Sequence, residues 1–311
     1  MISNREAYGD ALVSLGETNS RVVVLEADLG KSTQTVRFRN HFPDRYFEMG
    51  IAEANMMGYA AGLAATGKIP FASTFCVFAS MRAIEPIRNS IAYPRLNVKI
   101  VATNAGIEIG ADGATHQSIE DIAITRAIPN LTVVAPSDPI VTTKTIEAAA
   151  AWDGPMYIRI GRQVTPCLYS EDIDFEVGRA IVVRPGNDVT IVAIGNMVCR
   201  AVAAADRLAA QGISARVLDM HTIKPIDVKA LSEAAEQTGC VVTAEDHTVL
   251  GGLGGAVAEV LGSHRAVPVL RVGVNDCFAE SGEAEELLEK YGLTTARIAA
   301  AAIESMKLRA K

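Results

Sequence analysis

The 311-residue chain contains few cysteines and few aromatic residues. Its five cysteines, at positions 76, 167, 199, 240 and 277, are widely spaced and include no CxxC pair. This pattern argues against a disulfide framework and a cysteine-based zinc site, and it favours reduced thiols in the cytoplasm. Aromatic residues make up only 5% of the chain, so a local cluster of them needs an explanation.

The sequence also lacks an excess of positive charge and any long apolar run. Acidic residues outnumber basic ones by 36 to 29, which gives a net charge of −7 and disfavours nucleic-acid binding through phosphate contacts. No apolar stretch approaches the ~18–20 residues needed to cross a bilayer. The first residues, Met-Ile-Ser-Asn-Arg-Glu, do not have the basic-then-apolar pattern of a secretory signal. We therefore expect a folded cytoplasmic protein with neither a membrane nor a nucleic-acid partner.

Short β-branched runs alternate with alanine-rich stretches along the chain. In the first half, the predicted helices cover 51–66 and 141–152, and the predicted strands cover 21–25, 98–102, 131–135 and 156–160. Strands that are apolar on both faces and separated by helices are typical of a mainly parallel sheet covered on both sides.

The region 166–187 interrupts this alternation with proline, glycine and acidic residues, and it predicts a linker. The same alternation then resumes. We therefore predict an α/β protein of two doubly wound domains, covering residues 1–165 and a smaller 188–311. Within the second domain, the glycine-rich stretch 251–255 lacks a full G-x-G-x-x-G pattern, so we interpret it as the entry to a helix and not as a phosphate loop.

Glu53 stands near the start of a predicted helix whose other residues are small or apolar. A first-turn acid usually does no more than interact with the helix dipole, and the residue alone favours that role. Its neighbours Ala52, Ala54 and Met56 offer little solvation, and burial disfavours a charged carboxyl. Because the helix terminus favours the charge, the sequence leaves the outcome of this competition open.

Phe75 and Phe78 are spaced three residues apart, which predicts that they share one side of a helical turn. Such a pair most often belongs to a hydrophobic core. With Phe71, however, they place three of the chain's eight phenylalanines within eight positions.

The segment from Asn104 to Gln117 follows a predicted strand, contains three glycines, and includes Asp112 and His116. Loops at the carboxyl ends of parallel strands are where α/β proteins bind ligands. This acid–histidine pair could act as an acid/base or as metal ligands, but no third ligand follows at a suitable spacing, so we expect no metal site in this chain. Arg162, beyond the predicted strand 156–160, suits an anionic group or is an ordinary surface residue.

Four segments, in this order, closely resemble the C-terminal half of transketolase. They are Gly-Ile-Ala-Glu-Ala-Asn (50–55), Ser-Thr-Phe-x-x-Phe (73–78), Gly-Ala-Asp-Gly-Ala-Thr-His-Gln (110–117) and Pro-Asn-Leu-Thr-Val-Val-Ala-Pro-Ser-Asp (129–138). The resemblance runs from about residue 6 to residue 307 and implies a pyrimidine-binding domain followed by a transketolase C-terminal domain. It also implies an enzyme that uses thiamine diphosphate to transfer a two-carbon ketol unit from a ketose phosphate to an aldose phosphate.

The resemblance assigns the pyrimidine end of the cofactor to this chain. Glu53 would be catalytic: it would hydrogen-bond the N1′ nitrogen of the aminopyrimidine and favour the imino form that activates the cofactor. Phe78 would stack on the ring with Phe75 beside it, and Asp28 would lie near the cofactor and a subunit contact.

The resemblance also implies a set of substrate-binding residues. His116 and Asp112 would face the donor sugar, with His116 also catalytic. Arg162 would bind the sugar phosphate with the assistance of Ser32. At Asn104 the family commonly has a substrate-contacting histidine, so this chain departs from the pattern and leaves room for a different acceptor.

One family feature is missing. The family binds the diphosphate and its metal through a Gly-Asp-Gly segment followed by Asn-Asn or Asn-Asp. Asn187-Asp188 and Asn275-Asp276 have no Gly-Asp-Gly at the required distance upstream. We therefore expect a separate N-terminal transketolase subunit to supply the diphosphate site with its Mg²⁺ or Ca²⁺, most simply in an α2β2 heterotetramer.

Three alternatives remain open. The chain also resembles the β subunit of a 2-oxo-acid dehydrogenase decarboxylase component and a fragment of 1-deoxyxylulose-phosphate synthase, and it could be a non-catalytic protein that retains the fold. The Asp-Gly-Ala-Thr-His-Gln segment favours transketolase over the dehydrogenase. The joint presence of Glu53, Phe78, His116 and Arg162 favours an enzyme over a scaffold.

Overall fold

The computed structural model describes residues 3–309, which form two compact units. The first unit contains the residues through Ala105 together with Ile124–Val177. The second contains Gly106–Ala123 together with the residues from Gly178 onward. The segment Gly106–Ala123 lies within the predicted first domain but groups with the second unit.

The predicted runs 21–25, 98–102, 131–135 and 156–160 account for four of the parallel strands on which the first unit is built. The strands of this unit are β1 Val22–Glu26, β2 Tyr46–Glu48, β3 Ile69–Phe75, β4 Lys99–Thr103, β5 Thr132–Val134 and β6 Met156–Ile160. They lie in the order β5-β6-β4-β3-β1-β2, and every pairing among them is parallel. All residues of β1, β3, β4, β5 and β6 are buried, which confirms the expectation of a sheet covered on both faces.

The helices in this part of the chain are α1 Asn4–Thr18, α2 Gly30–Thr33, α3 Val36–His41, α4 Glu53–Ala65, α5 Ile84–Pro86, α6 Asp121–Arg126 and α7 Pro139–Ala151. Side-chain caps stand at the N-termini of α1 and α7. Ser3 and Glu6 form a capping box at α1, and the Asp138 side chain accepts from Val141 N at α7. Each such cap contributes about 1 kcal/mol. Gly67, just beyond α4, has φ +87, a conformation that favours glycine.

Some polar groups buried in the first unit's core are held by hydrogen bonds to distant residues. The hydroxyl groups of Tyr8 and Ser73 lie 2.6 Å apart. Lys99 Nζ donates to the carbonyl oxygens of Trp152 and Gly154 at 2.7 and 2.8 Å. Burial nevertheless lowers the pKa of Lys99 to about 7, because the charged ammonium has lost its hydration.

The second unit has its own mainly parallel sheet. Its strands are β7 Ile181–Arg184, β8 Val189–Ala193, β9 Ala215–Asp219, β10 Thr222–Lys224, β11 Val241–Thr248 and β12 Val269–Val274. Five of them form a sheet in the order β12-β11-β8-β9-β7, in which only the edge strand β7 is antiparallel to its neighbour. β7 lies inside the segment 166–187 that predicts a linker. Although Ile181-Val182-Val183 is apolar, this strand is only four residues long and adjoins Pro185-Gly186, so the turn-forming residues dominate the local pattern.

Helices separate most of these strands. They are α8 Met197–Ala209, α9 Val228–Thr238, α10 Leu253–His264, α11 Ala284–Lys290 and α12 Thr295–Arg309. The glycine-rich stretch 251–255 leads into α10, which confirms its interpretation as a helix entry. The backbone N–H groups of Leu253 and Gly254 donate to the Glu245 carboxylate at 2.7 and 2.8 Å, so this acid occupies the helix N-terminus where an anion would otherwise bind.

Two further expectations concern the chain as a whole. Within residues 3–309, no helix is long and apolar enough to cross a membrane. None of the five cysteines, all of which lie in the described part, forms a disulfide. The strands and helices described above make both units α/β domains with mostly parallel sheets.

Candidate active site

Glu53 is the first residue of α4, and only 3% of its surface is exposed. Its Oε1 accepts a hydrogen bond from Nη1 of Arg82 at 3.2 Å. Helix N-terminus and guanidinium both stabilise negative charge on the carboxyl. Sequence reasoning identified the helix terminus but missed Arg82, which stands 29 residues away along the chain.

Phe75 and Phe78 come together, although not through the predicted helical turn. Phe75 is the last residue of β3, whereas Phe78 begins a short π-helical segment, Phe78–Arg82, so the helical-turn prediction is wrong. Strand pairing explains the difference, because Ile69–Phe75 is fully buried and pairs with both β1 and β4. The two rings nevertheless stack, with centroids 5.8 Å apart and an interplanar angle of 15°.

Arg82 links the buried carboxyl to these rings. Its guanidinium carbon lies 4.1 Å from the centroid of the Phe78 ring, a cation–π contact, while its Nη1 donates to Glu53. A guanidinium is planar, delocalised and rich in N–H donors. Glu53 and Phe78 are therefore placed so that one flat nitrogen-containing group, the Arg82 guanidinium, contacts both.

A pocket of about 370 Å³ adjoins the carboxyl end of β1. Its lining includes Asp28, Ser32, Arg39, Tyr46 and Glu48. Asp28 has φ +58, and its N–H donates to Glu48 Oε1 at 2.8 Å. Two of the residues singled out from the sequence, Asp28 and Ser32, thus line one cavity.

Arg5, on α1, contacts the segment 27–35 that follows β1 and carries Asp28 and Ser32. Its Nη1 donates to the carbonyl oxygen and the hydroxyl of Ser32 at 2.9 and 3.2 Å. This contact could not be predicted from the sequence, because 27 residues separate the two positions and no motif links them.

Glu26 binds two threonines of the same segment. It is fully buried at the end of β1, and its Oε2 accepts from the hydroxyls of Thr33 and Thr35, both at 2.6 Å. Burial raises the pKa of Glu26 to about 7, against the opposing effect of these hydrogen bonds. The packing is close, since a Cβ on Gly30 would lie 2.7 Å from the Tyr46 hydroxyl.

Several site residues follow neighbouring strands of the first unit. Asp28 follows β1, Phe75 ends β3, Asn104 follows β4 and Arg162 follows β6. The order β6-β4-β3-β1 is contiguous and parallel, so these residues share one edge of the sheet, where ligand sites form. Asn104 is buried and has φ +60.

Asp112 and His116 belong to the second unit. Ile107–Asp112 forms short 3₁₀ turns with a kink at Gly110, and the N–H of His116 donates to Gly113 O at 3.0 Å. Asp112 is exposed and His116 is half-buried. Within residues 3–309, no group of three or more His, Cys, Asp or Glu side chains is placed to hold a metal ion.

Two known domains cover most of the chain. The transketolase pyrimidine-binding domain matches residues 1–166, and the transketolase C-terminal domain matches residues 178–298. The chain belongs to the transketolase family. The expected order of the two transketolase domains is thereby confirmed.

Similar proteins of known name have nearly the same extent as this transketolase-family chain. A Methanocaldococcus jannaschii protein provisionally named as a transketolase C-terminal section is 51% identical, covering 97% of this chain and 96% of its own length. The 6-deoxy-6-sulfo-D-fructose transketolase subunit SqwH of Clostridium sp. (strain MSTE9) is 47% identical, covering 96% of this chain and 93% of its own length. A solved structure described as a split-gene transketolase in an inactive β4 tetramer is 55% identical, with a TM-score of 0.94, and covers 99% of this chain and 100% of its own.

Proposed function

We propose that this chain is the C-terminal subunit of a split, thiamine-diphosphate-dependent transketolase of the cytoplasm. It transfers a two-carbon ketol unit from a ketose phosphate to an aldose phosphate in carbohydrate metabolism. The observation that carries this proposal is the contact of a single planar group, the Arg82 guanidinium, with both the Glu53 carboxyl and the Phe78 ring. Membership of the transketolase family supports it.

The chain's residues act on the pyrimidine end of the cofactor. When bound, thiamine diphosphate supplies the carbon nucleophile of ketol transfer. Glu53 would exchange a proton with the N1′ nitrogen through a hydrogen bond to its buried carboxyl. Phe78 supports the ring by stacking, and its own orientation is fixed by the ring of Phe75. Asp28 would approach the cofactor from the pocket that it lines with Ser32.

The substrate-binding residues divide by chemistry. His116 and Asp112 offer a donor or acceptor and an acceptor to sugar hydroxyls. Arg162 provides a planar cation for the phosphate, and Ser32 adds a hydroxyl held by Arg5. Asn104 stands where the family commonly has a histidine, and its amide can both donate to and accept from the substrate.

The diphosphate and its Mg²⁺ or Ca²⁺ are held by a second polypeptide, an N-terminal transketolase subunit, and we propose an α2β2 assembly. The surface beside the candidate site supports a partner. Ile51 and Met81, which flank Glu53 and Arg82 in the sequence, are exposed, as are Tyr59 and Tyr93. We infer that these exposed apolar side chains belong to the surface that the partner covers.

Reconstitution tests the proposal. The chain is mixed with its N-terminal partner, thiamine diphosphate, Mg²⁺, a ketose phosphate and an aldose phosphate, and sugar products are measured. Ketol transfer is expected only from the mixture. Equal activity from this chain alone would overturn the split site. Decarboxylation of pyruvate in place of ketol transfer would identify a 2-oxo-acid dehydrogenase subunit, and failure to bind cofactor with any partner would identify a scaffold.

A further inference from the structure

The loop that carries Asp112 and His116 is held by residues of the C-terminal unit. Gly106–Ala123 clusters with the residues from Gly178 onward. The carboxyl end of β11 is the main point of attachment. There, the pairing of β11 with β12 shifts register between Ala244 and Thr248, and such irregularities redirect side chains next to functional sites.

Glu245 and Asp246, which are consecutive at this irregularity, accept hydrogen bonds from different segments. Glu245 accepts hydrogen bonds from the backbone N–H groups at the start of α10. Asp246, which is 2% exposed, accepts from the backbone N–H groups of the loop: Oδ1 from Ile107 at 2.9 Å and Oδ2 from Glu108 at 3.4 Å. Hydrogen bonds from N–H groups to a buried carboxylate are stronger than those between neutral groups.

Glycine makes this approach possible. Gly106 has φ +69, and a Cβ at that position would lie 2.1 Å from Asp246 Oδ2. The loop therefore meets the carboxylate with its backbone, and any larger residue would push the two apart.

The other end of the loop is attached to the C-terminal unit as well. Gln117 Nε2 donates to Glu280 O at 2.9 Å, and Thr248 N donates to Ile119 O at 2.8 Å. Near the first attachment, Asn196 Nδ2 donates to Glu108 Oε2 at 2.5 Å. The exposed part with Asp112 and His116 lies between these attachments.

We propose that Asp246 is a positioning residue for the donor sugar, acting through the loop Gly106–Gln117. It touches neither cofactor nor substrate, and it sets the backbone from which Asp112 and His116 project. The C-terminal domain thereby takes part in substrate binding. This inference rests on the proposed function, since it assumes that these two side chains face the donor.

The test compares Asp246→Asn with Asp227→Asn. Asp227 is a matched control because its two carboxylate oxygens also accept backbone N–H groups, from Ala230 and Ala180, both at 2.9 Å. Both variants exchange one charged acceptor for an amide. Amide hydrogen exchange across the full chain is measured first, and the donor kcat and KM of the assembled enzyme are measured second.

Asp246→Asn should speed exchange in 106–117 by about tenfold and raise the donor KM by about tenfold, since a charged hydrogen bond is lost. Its affinity for thiamine diphosphate should stay at the wild-type value. Asp227→Asn should leave both the loop's exchange and the donor KM unchanged. Unaltered loop exchange or donor KM in Asp246→Asn, or an equal loss of cofactor affinity, would overturn the inference. Absence of ketol transfer by the wild-type assembly would instead refute the proposed function, and the exchange comparison would still decide whether Asp246 holds the loop.

Discussion

The guanidinium of Arg82 donates a hydrogen bond to the buried carboxyl of Glu53 across 3.2 Å. The same group lies over the ring of Phe78. The carboxyl, the cation and the aromatic ring thus form one continuous cluster at the start of α4. The proposed cofactor site depends on this cluster, and the following predictions test its members.

Replacement of Glu53 by glutamine should leave thiamine diphosphate bound and remove most of the turnover. Glutamine keeps the size and a hydrogen-bonding group but cannot exchange a proton with N1′, and such proton transfer accounts for about 10²–10⁴-fold in rate. The kcat of the assembled enzyme is measured together with cofactor affinity. Glu17→Gln, on the exposed face of α1, is the matched control. Near-normal kcat in Glu53→Gln would remove Glu53 from its role.

Replacement of Phe78 by alanine should weaken cofactor binding by about tenfold, because stacked aromatic pairs contribute about 0.5–1.5 kcal/mol beyond their buried area. The cofactor dissociation constant of the assembled enzyme provides the measurement. Phe278→Ala makes the same substitution at an exposed position of the second unit and should leave that constant alone. An unchanged dissociation constant in Phe78→Ala would contradict the stacking role.

The effects of Glu53→Gln and Arg82→Met on folding should not add. Each single change breaks the ion pair, and Arg82→Met should lower the free energy of unfolding by about 1 kcal/mol, since the arginine is half-exposed. The double variant should lose less than the sum of the two, because the partner of each group is already gone. Denaturant unfolding of the chain measures all four proteins. Strict additivity would show that the contact contributes nothing.

Glu26 should make stability fall with rising pH over a defined range. Its pKa in the folded chain, about 7, lies above the ordinary value of 4.5, so the fold favours the protonated carboxyl. That contribution is complete below pH 4.5 and is lost as the pH rises to about 7. The difference in unfolding free energy, wild type minus Glu26→Gln, should therefore decrease over this range and level off above it. A constant difference would mean that folding leaves the pKa of Glu26 unchanged, and an increasing one would mean that folding lowers it; either would contradict the prediction.

Local patterns were enough to predict several elements of the fold, although not β3 or β7. The strand Met156–Ile160 lies where its β-branched residues predict it, and α4 begins at Glu53 and ends before Gly67. These features depend on residues close together in sequence, whose propensities and caps agree with the final structure.

Contacts between residues that are distant in the chain could not be predicted from the sequence. Nothing near Glu53 indicates Arg82, and nothing near Ser32 indicates Arg5. The motif with Asp112 and His116 could be found, but its attachment to Asp246 joins positions about 139 residues apart. Phe75 shows the same limit, because its spacing from Phe78 suits a helix while its pairing with β4 places it at the end of a strand. Such outcomes are decided by tertiary packing.

The most direct test is an experimental structure of the chain assembled with its N-terminal subunit and thiamine diphosphate. The measured quantities are the distance from the Glu53 carboxyl to N1′ and the separation of the pyrimidine from the Phe78 ring. We predict a hydrogen bond of about 2.7 Å and a stacked ring, with the diphosphate on the partner subunit. A pyrimidine bound away from both residues, or a diphosphate held by this chain, would contradict the account.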